Sequence, residues 1–150
     1  MLKAKDIMTT DVQSVGPETE LEELSKLFIA QNKQALPVID QEGKLIGLVS
    51  QNDLVERNKP LHIPTVISLF DWVFYLESED EFKKEVERMS ARTVGEICRR
   101  EVPTCTAETE VSEIAELMVD KAAHLVPVLD QDEKLVGVVA RLDIIRAMGR

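Results

Sequence analysis

Leu36-Pro37-Val38-Ile39-Asp40-Gln41-Glu42-Gly43-Lys44-Leu45-Ile46-Gly47-Leu48-Val49-Ser50 decides the fold, because the chain writes it a second time as Val126-Pro127-Val128-Leu129-Asp130-Gln131-Asp132-Glu133-Lys134-Leu135-Val136-Gly137-Val138-Val139-Ala140. The offset is 90 residues, and it holds without a gap when the comparison is carried outward to residues 7–57 against 97–147. Sixteen of those 51 pairs are identical, among them Ile7/Ile97, Val12/Val102, Glu18/Glu108, Thr19/Thr109, Leu27/Leu117 and Asp53/Asp143. Most other pairs exchange one apolar residue for another, as in Leu24/Ile114, Phe28/Met118 and Leu54/Ile144, so the burial pattern repeats with the letters. Two copies of one supersecondary unit therefore make up most of the chain.

Within the quoted stretch, two short β-rich runs flank Gln41-Glu42-Gly43, which predicts a hairpin; Gln131-Asp132-Glu133 marks its twin. Upstream, Leu21, Leu24, Leu27 and Phe28 share one helical face, and Val111, Ile114, Leu117 and Met118 reproduce it. Thr19 with Glu22 fits a capping box at the start of that helix, while the second copy keeps Thr109 but has Ser112 in place of the Glu. A short extended segment precedes each helix, Val12-Gln13-Ser14-Val15 and Val102-Pro103-Thr104-Cys105, and a last helix begins near Gln51 or Arg141. The unit reads β-α-β-β-α, an α/β (α+β) fold with a right-handed parallel crossover from its first strand to its second. A unit of ~50 residues buries too little surface to stand alone, so the copies are expected to pack on each other.

The organisation expected is repeat 1 over residues 1–57, a helical insert over 58–92, and repeat 2 over 93–150. Pro60 and Pro64 break the insert, residues 64–76 are apolar on nearly all faces, and an acidic helix is expected over 80–90. Five of the six aromatic residues (Phe70, Trp72, Phe74, Tyr75 and Phe82) lie there. Such a segment either fills the chain's own core or meets another subunit.

A composition of 44% hydrophobic and 31% charged residues is that of a globular protein, with no run of ~18 apolar residues that would read as a membrane span. The N-terminus lacks the apolar stretch of a secretory signal, which suggests a cytoplasmic location. A formal charge of −10 disfavours a nucleic-acid surface, yet leaves room for a local basic pocket that takes one small anion. Cys98 and Cys105 align with Met8 and Val15, which marks them as buried reduced thiols rather than metal ligands or a disulfide.

Chemistry is most readable where the hairpin ends, in Gly47-Leu48-Val49-Ser50-Gln51-Asn52-Asp53-Leu54 and Gly137-Val138-Val139-Ala140-Arg141-Leu142-Asp143-Ile144. A strand runs there into a helix whose first turn carries a carboxylate. Free N–H groups at the helix start attract a phosphate, and Asp53 or Asp143 can accept from vicinal hydroxyls such as those of ribose. The same spacing, Ser50-x-x-Asp53, also describes a self-satisfied helix cap. Catalysis finds little support: there is no plausible nucleophile–base pairing, no metal constellation, and the glycines serve turns and strands rather than a phosphate loop.

The tandem unit, with its Ile7-Met8 lead-in, its Leu36-Pro37-Val38-Ile39-Asp40 strand and its Gly47-Leu48-Val49-Ser50-x-x-Asp53 ending, resembles the cystathionine β-synthase (CBS) type domain, which occurs in pairs called Bateman modules. The resemblance implies two units packed about a pseudo-twofold axis, with clefts between them that hold AMP, ADP, ATP or S-adenosylmethionine. It implies a phosphate role for Ser50 and ribose roles for Asp53 and Asp143. Ala140 leaves the second junction without a hydroxyl, with Arg141 compensating by charge, so the Asp53 junction is expected to be the stronger site. The family's first strand points to Ser14, Val15, Thr104 and Cys105 as adenine contacts. Its second strand points to Gln34 and His124 on the phosphate side, with Ala35, Pro37, Leu125 and Pro127 beside them.

The function implied is a stand-alone, non-enzymatic sensor. It requires no cofactor, takes an adenine nucleotide as regulatory ligand, forms a homodimer, and signals to an effector protein, with neither nucleic acid nor membrane as partner. A ligand-independent dimerisation module is the alternative.

Overall fold

A computed structural model of the chain describes residues 1–58 and 91–149. The helices expected over 64–76 and 80–90, and the question of what the aromatic insert packs against, lie outside the described residues. In chain order the elements are α1 (Ala4–Ile7), α2 (Leu21–Gln31), β1 (Ala35–Ile39), β2 (Leu45–Ser50), α3 (Gln51–Arg57), α4 (Val94–Ile97), α5 (Val111–Asp120), β3 (Leu125–Leu129), β4 (Leu135–Ala140) and α6 (Arg141–Met148).

Both hairpins form as expected. β1 pairs antiparallel with β2 and β3 with β4, in registers that match across the repeat (Val38↔Gly47 and Val128↔Gly137), and both shift by a bulge at the next residue. The shared Asp makes the turn: Asp40 Oδ1 accepts from the N–H groups of Glu42 and Lys44 at 2.8 and 2.9 Å. Asp130 Oδ1 does the same for Asp132 and Lys134. Gly43 takes the left-handed conformation the turn demands (φ 86°), and Glu133 is forced into it in the second copy (φ 64°).

The strands expected over 12–15 and 102–105 contract to one residue each. Val15 makes a single parallel bridge to Val38, its N–H donating to Pro37 O at 3.0 Å and its carbonyl accepting from Ile39 N at 2.9 Å. Cys105 repeats this against Val128, with Pro127 and Leu129 as partners. The next rung back would need an N–H from Pro37 or Pro127, and proline has none to donate.

The capping box expected from Thr19 and Glu22 does not form either. Helix α2 starts at Leu21, and Thr19 Oγ1 instead accepts from Gly16 N at 3.2 Å, closing the turn before the helix; Thr109 does the same with Thr106 N at 3.0 Å. A hydroxyl cap is unnecessary because the other copy supplies the acceptor. Leu21 N donates to Arg92 O at 2.9 Å, and Val111 N to Leu2 O at 3.0 Å.

These bonds belong to a reciprocal exchange of lead-ins. Ala4 and Lys5 donate to Thr109 and Ala107, while Val94 and Gly95 donate to Thr19 and Pro17. Thr9 then bridges Val138 of β4, and Arg99 bridges Leu48 of β2. The cores follow the exchange. Val94 and Ala91 are buried with Leu24, Phe28, Val38 and Val49 of the first copy. Ala4 is buried with Ile114, Met118, Val126 and Val139 of the second. Burying a valine such as Val94 completely is worth ~2 kcal/mol, so each short lead-in is anchored by the opposite copy's core. A third cluster, Leu48, Leu125 and Val138, joins the two hairpins. Lys44 bridges its own repeat equivalent Lys134, which places the pseudo-twofold axis at that contact.

Candidate functional site

Where β4 runs into α6, Asp143 falls in the first helical turn, and its Oδ2 accepts from Ala140 N at 2.8 Å. It borders a cavity of about 350 Å³ built from both copies. The first copy contributes Thr9, Asp11, Val12 and Gln13 of the lead-in, together with the end of α2 and the start of β1 from Gln31 to Pro37. The second contributes His124, Leu125, Val138 and the turn from Ala140 to Asp143, with Arg146. Lys33, Arg141 and Arg146 put three cationic side chains on the wall against two carboxylates, Asp11 and Asp143. In a chain of net charge −10 this is a local reversal of sign, and a concave wall concentrates its field. Arg141 is anchored, its Nε donating to Ala123 O at 3.2 Å across the mouth of the β3 strand. Gln51 makes the equivalent bond in the first copy, from Nε2 to Lys33 O.

Of the residues singled out from sequence, Gln34, Ala35, Pro37, His124, Leu125, Arg141 and Asp143 meet on this cavity. Gln34 and His124, equivalent positions of the two copies, line the same cavity. Ser14 and Val15 line a different concavity, with the acidic groups of Glu18, Glu23, Asp40 and Glu42. The backbone groups of Val15 and Cys105, read as adenine contacts, are consumed by the bridges to Pro37, Ile39, Pro127 and Leu129. Their side chains are buried, and burial pushes the Cys105 thiol up to about 11. Pro127 and Thr104 do not line the cavity, and the Pro127 side chain is fully buried, as is that of Pro37. Sequence reasoning missed Arg146 of the second copy, and Thr9, Asp11, Val12, Gln13 and Lys33 of the first. The Val12/Val102 identity was a signal, but only the exchange of lead-ins shows which cleft those residues reach.

The Asp53 junction differs. Ser50 Oγ accepts from Asp53 N at 3.3 Å, and Asp53 Oδ2 accepts from Ser50 N at 2.8 Å, so the reciprocal cap exists. Asp53 Oδ1 faces Arg99 Nε at 3.4 Å, and the side chain is 6% exposed. Neither Ser50 nor Asp53 borders the 350 Å³ cavity. Cys98, next to Arg99, is a half-buried free thiol whose pKa is raised by burial. Among the described residues, no cluster of three or more His, Cys, Asp or Glu is placed to hold a metal ion, and no helix is long and apolar enough to cross a membrane.

Comparison with known proteins bears on both copies. The family model for the CBS domain matches residues 4–59 and again 94–150. Uncharacterized protein MJ1426 of Methanocaldococcus jannaschii is 26% identical over 96% of this chain and 89% of its own length. The CBS domain-containing protein CBSX1, chloroplastic, of Arabidopsis thaliana is 26% identical over 91% of this chain, which spans 59% of that relative's length. Among solved structures, CBSX2, also from Arabidopsis thaliana, in complex with AMP superposes with a TM-score of 0.80 at 25% identity, covering 99% of this chain and 97% of that one.

Proposed function

This chain belongs to the CBS-domain family, and from that premise we propose that it is a regulatory module whose Asp143 cavity binds an adenosine-containing nucleotide and reports occupancy to a partner protein. One observation carries the reading. A carboxylate suited to accept from ribose hydroxyls and three Lys or Arg side chains suited to phosphate share one cavity. Its volume, about 350 Å³, lies at the lower end of the range for small-molecule sites. The likeness to CBSX2, solved with AMP, supports the adenine nucleotide class. A sensing role rather than catalysis is supported by a family match that indicates no catalytic family.

Calorimetric titration with AMP, ADP, ATP and S-adenosylmethionine tests the proposal. A saturable isotherm with at least one of them is expected, weakened about tenfold or more by Asp143→Asn through loss of the charged acceptor. No heat from any of the four at millimolar concentration would refute it.

A homodimer is the second part of the proposal, and repeat-equivalent side chains support it. Ile29 and Val119 are 83% and 81% exposed, and Val55 and Ile145 are 67% and 59% exposed, on the outer faces of the helices flanking the two hairpins. Large apolar side chains placed outward at the same positions of both copies suit a self-complementary surface. The double substitution Ile29→Glu with Val119→Glu is expected to convert a dimer to monomer in sedimentation; a wild-type monomer would rule this part out.

A further inference from the structure

We propose that Arg99 is an internal competitor for the Asp53 carboxylate and weakens ligand binding at that junction; the inference rests on the nucleotide reading above. Position 99 is the repeat equivalent of position 9. Thr9 borders the Asp143 cavity and is held against Val138 by two backbone bonds of 2.9 and 3.0 Å. Arg99 is held against Leu48 in the same way, at 2.9 and 2.8 Å, so its side chain departs from the equivalent place beside Asp53. Threonine is too short to reach across. Arginine does reach: its Nε stands 3.4 Å from Asp53 Oδ1, while Oδ2 accepts from Ser50 N at 2.8 Å. Both carboxylate oxygens are engaged before any ligand arrives. A ribose diol must displace a guanidinium from a carboxylate that is only 6% exposed, although the Arg99 side chain itself is 63% exposed and water weakens the pair from that side.

Asp143, 11% exposed, has both oxygens engaged too, Oδ2 by Ala140 N at 2.8 Å and Oδ1 by Arg146 Nη1 at 3.5 Å, but its guanidinium comes from the next turn of its own helix and not from the lead-in. That side chain lies on the cavity wall beside the carboxylate. Arg99 instead bridges from the lead-in to α3, between the two elements whose counterparts frame the Asp143 cavity. The first copy has Glu56 where the second has Arg146, so the clefts are not versions of one charge pattern.

Competition of this kind lowers apparent affinity by the fraction of molecules in which Asp53 is free. Removing Arg99 therefore tightens binding at the Asp53 junction. The opposite role, Arg99 as a phosphate contact, predicts the reverse sign for a phosphorylated ligand only.

The test is calorimetry of the wild-type chain, Arg99→Thr and Arg99→Gln, each titrated with AMP and with adenosine. In both variants the weaker binding event is expected to tighten about three- to tenfold for both ligands, the stronger event to stay unchanged, and Asp53→Asn in the Arg99→Thr background to undo the gain. Arg99→Gln keeps much of the side-chain bulk and guards against a folding defect in Arg99→Thr, with the thermal midpoint of each checked. Unchanged affinities in both variants overturn the competitor while leaving the nucleotide reading intact. Weaker AMP binding with unaltered adenosine binding also overturns it, and assigns Arg99 to phosphate. No binding by any of the three proteins overturns both readings.

Discussion

Gly47 of β2 lies directly beneath the carbonyl of Arg99, so that a Cβ at position 47 would overlap that oxygen and stand 3.2 Å from Arg100 Cα. The lead-in of the second copy can cross β2 only because no side chain is there. At Gly137 the nearest atom to an added Cβ is Met8 Sδ at 2.8 Å, the far end of a flexible thioether, with Thr9 O at 3.1 Å. Gly47→Ala is therefore expected to cost about 1–3 kcal/mol, since backbone has to yield, and Gly137→Ala distinctly less. Chemical denaturation of the two variants checks the order, and equal losses would contradict it.

Ser50 and Ala140 occupy equivalent N-caps, and only Ser50 offers an oxygen to the N–H three residues on. Ser50→Ala is expected to cost about 1 kcal/mol and Ala140→Ser to return a similar amount. Denaturant midpoints of both variants give the comparison, and a loss on introducing the serine would show that position 140 resists a hydroxyl.

Glu108 accepts from Lys3 Nζ at 2.7 Å and Lys5 Nζ at 2.8 Å, which ties α1 to the opposite copy. Those two hydrogen bonds, reinforced by the lysine charges, lower the Glu108 carboxyl from 4.5 to about 2. Because the folded value is the lower one, the contribution is complete above pH 4.5 and fades as pH falls toward 2. Exposure and salt keep it small. Hydrogen exchange at Ala4 and Lys5, compared between wild type and Glu108→Gln, should differ at neutral pH and low salt and converge in acid. A difference independent of pH would remove the charge explanation.

Lys33 belongs to the first copy but borders the cavity of Asp143 in the second. Lys33→Ala is expected to weaken AMP about three- to tenfold while leaving adenosine unaffected, since an exposed cation acts on the phosphate alone. Equal losses for both ligands would point to a distorted cavity instead.

Cys98 is half-buried and Cys105 is buried with its thiol pushed up to about 11. A thiol reagent at pH 8 is expected to modify Cys98 first and Cys105 only on unfolding, because the thiolate is the reactive form. Mass spectrometry after timed labelling would show the order.

Much of this is legible in the sequence. The hairpins could be read from Asp40 and Gly43 and their twins, because turn chemistry is local. The helix faces could be read from Leu24 and Ile114, because apolar periodicity reports burial. The first strands were overread: Val15 and Cys105 sit in β-rich runs, but Pro37 and Pro127 lack the N–H that would extend the ladder. Thr19 has the spacing of a cap, yet α2 begins two residues later at Leu21, whose N–H donates to Arg92 O in the segment that leads into the second copy.

By itself, then, the sequence determined the repeat, the two hairpins and an aspartate at the head of each following helix, all of which depend on neighbours a few residues apart. Only the tertiary structure decided that each lead-in crosses to the other copy. As a result Thr9 and Lys33 share a cavity with Asp143, while Arg99 covers Asp53. The physical reason is the repeat itself. Ala4 and Val94 carry the same local pattern, and either could bury against either core, so nothing local distinguishes a lead-in that stays at home from one that crosses. The choice rests on long-range backbone bonds and on the space left by Gly47 and Gly137, which exist only once both copies are packed together.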